Sequence, residues 1–285
     1  FSGRSNDARS SQGQCSFALF EGTTDYGEML ICDGANKPFF FKMTGTGALS
    51  DRTFFAGEIT VDSTTAPTVG VIHENHFVVG GAPTAKNKIF FSATLDPESF
   101  SGTGSGSIQL TDAIVGLASF RSDLIIFCKN SIFKLINISD SSNIAIVPIT
   151  QNVGCLDGNS IQEIGGDLLF LSPDGIRTVA GTARIGDVEL SSVSRQIQKL
   201  TTIIANGINN FVITSGTLRS KSQYRLFYTN TSQSSSVSKG IIGTLTPNGF
   251  EWSETKGIQA TGFATGLDKD GVEQLYHGDN AGYVY

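Results

Sequence analysis

Ile114-Val115-Gly116-Leu117-Ala118-Ser119-Phe120 is followed by Arg121-Ser122, then by Leu124-Ile125-Ile126-Phe127. Lys129-Asn130 then leads into Ser131-Ile132-Phe133-Lys134-Leu135-Ile136. Three runs rich in β-branched and aromatic residues, split by two short polar joints, have the pattern of consecutive antiparallel strands. Two hairpin joints within 23 residues predict most of a four-stranded sheet.

The same grammar recurs on both sides. Ser160-Ile161-Gln162-Glu163-Ile164 meets a Gly165-Gly166-Asp167 turn, then Leu168 to Leu171, then Pro173-Asp174-Gly175 and Ile176-Arg177-Thr178-Val179. Asp174-Gly175 supplies the positive φ that such a turn demands. Leu275-Tyr276-His277, a Gly278 to Gly282 loop and Tyr283 begin the pattern once more. Six such modules centre on Leu30, Phe77, Leu124, Leu168, Leu226 and Leu275, with spacings of 47, 47, 44, 58 and 49 residues. A period of this length built from hairpins predicts an all-β fold, a β-propeller of about six four-stranded blades.

Regular repetition argues for a single propeller domain over residues 1–285. Charged residues make up 16% of the chain and there are 33 glycines, a balance that favours sheets and tight turns. Net charge is −6, and the basic residues are scattered, so the footprint of a sequence-reading nucleic-acid binder is missing. No run of 18 apolar residues and no secretory leader is present, so no membrane role is expected. Cys15, Cys32, Cys128 and Cys155 lack the close pairs of zinc sites and read as buried thiols. The start at Phe1 and the stop at Tyr283-Val284-Tyr285, inside a strand pattern, suggest a fragment of a longer chain.

One stretch breaks the rhythm. Val188 to Ile204 has Val193, Ile197, Leu200 and Ile204 at helical spacing, with Ser191 or Ser192 as cap. It predicts a short helical insertion, about 188–204, outside the blade. Ser232-Gln233-Ser234-Ser235-Ser236 reads as a polar turn or loop.

Chemistry is harder to find. His73 and His76 lie three apart in an extended segment and are expected on opposite faces, unable to hold one ion without a bend. His277 stands alone. No nucleophile elbow or Cys–His signature adjoins them. Gly102-Thr103-Gly104-Ser105-Gly106-Ser107 lacks the Lys of a Walker loop and opens no helix, so a flexible loop is expected. Ser172-Pro173-Asp174-Gly175 approaches a sialidase Asp-box but has the wrong spacing and no aromatic residue. Asp25, Glu28, Asp96, Glu98, Asp187 and Glu189 could pair for glycoside hydrolysis, but their separations are not readable from sequence. Asp268-Lys269-Asp270-Gly271 reads as a hairpin turn, not a calcium loop. Trp252, the one tryptophan, is expected to pack within a blade. The expectation is therefore no catalytic, cofactor-binding or metal-ligating residue, no cofactor, and no enzyme.

A longer stretch carries a resemblance. Lys88 to Phe91, Ser92-Ala93, Asp96-Pro97, Phe100 and the Gly/Ser-rich residues to Ile108 are similar to wording found in bacteriophage virion proteins. Ile114 to Phe120, Leu124 to Phe127, Lys129 to Ile132, Gly154-Cys155 and Asp167 to Ile176 continue it in order. Over roughly residues 70 to 200 the chain resembles the propeller-bearing tail proteins of short-tailed phages, which form the nozzle or close the channel and retain packaged DNA. The platform domain of a nozzle is not found in this sequence.

The resemblance implies a structural protein of the virion tail, assembled in the bacterial host cytoplasm as a six-fold homo-oligomeric ring. Its partners would be other tail proteins such as the tail adaptor and tail fibre. Double-stranded DNA would pass through without sequence-specific contact, and an acidic lumen would repel its backbone. Val188 to Ile204 and the Pro97 to Ser107 loop are candidate subunit contacts. The alternative is a carbohydrate-binding or glycoside-hydrolysing propeller, such as a tail-associated receptor-binding protein.

Overall fold

A computed structural model of the chain describes residues 15–21, 27–44, 53–62, 65–180, 192–230, 238–258, 260–279 and 283–285. The chain is all-β and propeller-like, with its described strands in six antiparallel sheets. It divides into two compact units, 1–148 and 149–285.

The first unit holds three sheets. The first comprises β1 (Ser16–Phe20), β2 (Glu28–Cys32), β3 (Phe39–Thr44) and β4 (Thr53–Glu58). The second comprises β5 (Val69–His73), β6 (His76–Gly80), β7 (Lys88–Phe91) and β8 (Gly106–Gln109). The third comprises β9 (Ile114–Phe120), β10 (Asp123–Cys128), β11 (Ile132–Ile136) and β12 (Ala145–Thr150), within which the unit boundary falls. Each strand pairs with the next in sequence. The first strand of each sheet packs on the first strand of the following one, β1 on β5 and β5 on β9.

The second unit repeats this plan. Its sheets are β13 (Gln162–Ile164), β14 (Asp167–Ser172) and β15 (Gly175–Thr178); β16 (Phe211–Leu218), β17 (Gln223–Asn230), β18 (Lys239–Thr246) and β19 (Gly249–Lys256); and β20 (Gly262–Leu267) with β21 (Glu273–Gly278). First strands again meet, β13 with β16 and β16 with β20. Val284 bridges to Gly278, and Tyr285 exchanges backbone hydrogen bonds with His277, laying a short third segment beside β21. Four sheets thus have the expected four strands. The β13–β15 sheet has three described strands and the last has two; residues 181–191 lie outside the described residues.

All six predicted module centres fall on the second strand of their sheets: Leu30 on β2, Phe77 on β6, Leu124 on β10, Leu168 on β14, Leu226 on β17 and Leu275 on β21. A second strand has hydrogen-bonded neighbours on both edges and, in the inner sheets, cover on both faces. It therefore reads as an uninterrupted apolar run. In β10, Leu124, Ile126 and Cys128 enter the core with Val78, Ile89 and Leu135, while Ile125 and Phe127 on the opposite face are also buried. Each such side chain contributes about 1.5–3 kcal/mol through burial.

The hairpin tips use the backbone conformations that the sequence implied. Gly165 and Gly166 have φ of 62° and 76° between β13 and β14. Gly175 has φ of 134°, and a Cβ there would also collide with the hydroxyls of Ser192 and Ser194.

The helical segment differs from expectation in two ways. A 3₁₀ turn spans Arg195–Ile197, and α1 runs over Gln198–Asn206 with no side-chain cap; residues 188–191 lie outside the described residues. Ser192 does not cap it. Its hydroxyl instead lies 2.8 Å from that of Ser194 and bonds the Ile176 carbonyl. Nor does the helix stand outside the fold: Ile204 is fully buried with Leu171, Ile176 and Ile213, and Val193, Ile197 and Leu200 pack on the same cluster. The apolar stripe was read correctly but needed a surface to cover, and β15 provides it.

Ile126→Ala should lower stability by about 2–5 kcal/mol, read by urea denaturation. Ile203→Ala, on the half-exposed face of α1, should change it by less than about 0.5 kcal/mol.

Candidate functional site

Three of the carboxylates singled out in the sequence come together in the first unit. Glu28 opens β2 and faces Lys42 of β3 directly across the ladder. Lys42 Nζ lies 3.5 Å from Glu28 Oε1 and makes a close ion pair with Glu98, which arrives from the loop between β7 and β8. The same ammonium sits 4.7 Å above the Phe40 ring. Asp96 stands nearby and accepts from the Glu98 backbone N–H. Glu28 is 6% exposed, and its Oε2 has no hydrogen-bond partner among the described residues. Burial pushes the Glu28 carboxyl above its ordinary value; Lys42 opposes this, and Glu98 and Asp96 add to it.

Chemically this is a pair of carboxylates in unlike surroundings that share one lysine. The buried member favours its proton, and the outer one is held against an ammonium. Asp25, Asp187 and Glu189 lie outside the described residues. The sequence reading missed Lys42, though its position was recoverable. Pairing Ile31 with Phe39 across the Asp33 to Pro38 turn places Glu28 opposite Lys42.

The histidines correct an expectation. His73 and His76 flank the two-residue Glu74-Asn75 turn, whose φ values are 45° and 64°, and pair directly across the hairpin. Directly paired residues share a face, so the two rings do not point to opposite sides. His76 Nδ1 donates to the Ser92 carbonyl at 2.6 Å, and its Nε2 faces the hydroxyls of Ser139 and Thr94, each at 3.3 Å. His73 Nδ1 meets Ser119 Oγ at 2.9 Å, while its buried Nε2 has no partner among the described residues. No group of three His, Cys, Asp or Glu side chains placed to hold a metal occurs among the described residues. His277 lies on β21, its ring stacked on Tyr285 at 5.2 Å.

Other candidates are occupied by local structure. Asp174 forks onto the Arg177 guanidinium, which is 2% exposed, and also accepts from Ser172. The Asp-box-like stretch is thus a hairpin turn that neutralises a buried arginine. Asp268 accepts from the backbones of Asp270 and Val272 and from Gln274, all at 2.9 Å, closing the β20–β21 turn. Gly102 to Ser105 form a turn closed by Ser105 on the Gly102 carbonyl, and Gly106-Ser107 begin β8, so the last two residues of the expected flexible loop are strand. Trp252 donates from Nε1 to the Val193 carbonyl at 2.7 Å and stacks on Phe250. None of the four cysteines is in a disulfide; burial pushes the Cys128 thiol up to about 12. Residues 232–236 lie outside the described residues.

One small pocket of about 200 Å³ lies in the second unit, lined by Glu163, Ile164, Gly165, Arg219 and Ser222. It is below the size usual for small-molecule sites. No helix among the described residues is long and apolar enough to cross a membrane.

Burial depresses the His73 imidazole, opposed by Glu74 and Asp123 and reinforced by His76. Folded protein therefore binds fewer protons there than unfolded protein, and this part of the stability is lost as pH falls below about 6.5. Urea denaturation at pH 7.5 and 5.5 should show a smaller acid-side loss in His73→Gln than in the parent chain. Equal losses would contradict the assignment.

No family model matches the chain, and no curated protein matches it. Among solved structures it is similar to a chain from Bacteroides uniformis ATCC 8492 called a "putative 6-phosphogluconolactonase", at 11% identity and a TM-score of 0.42. The match covers 94% of this chain and 82% of that one. That name is an enzyme's, and the expectation that this chain is not an enzyme is withdrawn against it. At this similarity the likeness transfers no activity.

Proposed function

We propose that the chain is a structural component of a phage virion tail, a nozzle or channel-closing protein that assembles as a ring around the DNA exit channel. The observation that carries this reading is where large apolar side chains are exposed. Among the described residues they are Phe17, Leu19, Met29 and Phe55 on the first sheet, and Leu267, Val272, Tyr276 and Tyr283 to Tyr285 on or beside the last. Leu95 and Ile203 are the two exceptions. They fall beside the 97–107 loop and on α1, the two segments that the sequence marks as candidate contacts.

Three of the four on the first sheet, Phe17, Leu19 and Met29, share a face, while Phe55 pairs with Lys42 and lies on the other. Leu19 pairs with Met29 and Met29 with Phe41, while Phe17 pairs with Ile31. A contiguous apolar sheet face of this kind is a common mark of an assembly surface. Two unlike apolar patches on one chain suit a heterologous contact, which closes into a ring when the rotation permits. The net charge of −6 suits a lumen past which DNA slides.

A second reading has one observation in its favour. Glu28 and Glu98 meet at Lys42 with Asp96 close to Glu28, a gathering of acidic residues as in a carbohydrate-binding or glycoside-hydrolysing protein.

Electron microscopy and mass photometry of the purified chain should reveal a six-fold ring. Leu19→Lys should reduce it to monomers while shifting unfolding by less than about 0.5 kcal/mol, since Leu19 is 61% exposed. A monomer at all concentrations that binds or cleaves a glycan would overturn the tail reading.

A further inference from the structure

Lys42 is held by two carboxylates from different sheets. Glu28 is its neighbour within the first sheet, and Glu98 belongs to the loop that joins β7 to β8 in the second. That loop is otherwise anchored at its edges. Ala93 N–H donates to the Ser99 carbonyl at 2.7 Å, Leu95 N–H to the Asn75 carbonyl at 2.9 Å, and Phe100 packs edge-on against Phe77. Among the described residues, Lys42 with Glu98 is the ion pair that ties it to the first sheet.

We propose that Glu28, Lys42 and Glu98 form a proton-controlled clasp, in which Glu28 and Glu98 compete for one ammonium and neutralising Glu28 tightens the 94–105 loop onto the first sheet. The step is a single protonation. Hydronium in the solvent gives a proton to the Glu28 carboxylate and becomes water, Lys42 remains an ammonium, and its full charge then faces Glu98. The inference does not depend on the tail reading, because it concerns one unit of one chain.

The charged groups facing Glu28 are Lys42 from β3 and Asp96 and Glu98 from the loop. On its other edge β1 presents Phe20, which is uncharged. The titratable residue of β5, His73, has Ser119, Glu74 and Asp123 around it instead. With Glu28 ionised, two carboxylates share one lysine, a third, Asp96, adds its repulsion to Glu28, and Glu28 Oε2 is buried without a donor among the described residues. Removing its charge relieves both the desolvation and the like-charge repulsion. The sign follows: a carboxyl raised in the folded state gives a contribution present at low pH and lost as pH rises through the folded value.

NMR titration of the intact chain from pH 4 to 8 tests this through the backbone amides of Glu98 and Ser99. In the parent chain they should show an inflection above about 4.5, the ordinary Glu range, that coincides with titration of the Glu28 side-chain carboxyl. Glu28→Gln, close in shape and always neutral, should abolish that inflection and hold the amides at their low-pH positions throughout. Glu98→Gln should lower the Glu28 midpoint, since Lys42 is then left to Glu28. An unchanged Glu98 inflection in Glu28→Gln, or a Glu28 midpoint that ignores Glu98→Gln, would overturn the clasp.

Discussion

A strand hydrogen-bonded along both edges and covered on both faces has no surface left for water, so every side chain on it must be apolar or individually paired. In this chain that constraint falls on the second strand of the sheets. β6 and β10 meet it almost completely, with Phe77, Val78 and Val79 in one and Leu124 to Cys128 in the other fully or nearly fully buried. Satisfying it fixes the register of the outer strands. A slip of one residue would leave the run buried but turn the alternating partners, such as Leu117 and Leu135, to the wrong side.

The polar groups admitted to these cores are tied down one by one. Asp112 sits in the segment before β9. Burial disfavours its charge, yet hydrogen bonds from Asn130, Ser131 and Ala113 hold its carboxyl below the usual range. It thereby fixes the β10–β11 turn. In the second unit, Tyr224 donates to the Ser160 carbonyl, and the Ser160 hydroxyl in turn donates to the Asp157 carbonyl. Arg177 is tolerated because Asp174 meets it from the adjoining turn. Alongside Thr65 and His277, the departures among the described residues are Glu28 and His73, each with a buried atom lacking a partner. Both have protonation equilibria moved by burial, in directions that favour their neutral forms.

Much of the fold was legible because the constraint on second strands writes itself as apolar runs, clearest in β6, β10 and β14; β21 has no buried residue and was located by its turn and spacing instead. The turns were legible for a related reason: Gly165-Gly166 and Gly175 occupy backbone conformations that few other residues accept. The start of α1 was not. Ser192 resembles a cap in isolation, but its hydroxyl is recruited by Ile176 and Ser194, which are distant or ambiguous in the sequence. The histidine pair was misread because three residues of separation means opposite faces in a continuous strand and the same face across a two-residue turn. The carboxylate cluster was half legible. Glu28, Asp96 and Glu98 were nameable as acids, but their meeting depends on a loop of the second sheet reaching the first, which local pattern does not encode.

If burial of the second strands governs the structure, those strands should be the last to open. Native-state hydrogen exchange across the intact chain measures this directly. The account predicts that the slowest amides lie in β6, β10, β14 and β17 and exchange only through global unfolding, while β4, β19 and α1 open at lower free energy. Slowest exchange in the outer strands or in α1, with the second strands opening early, would contradict it.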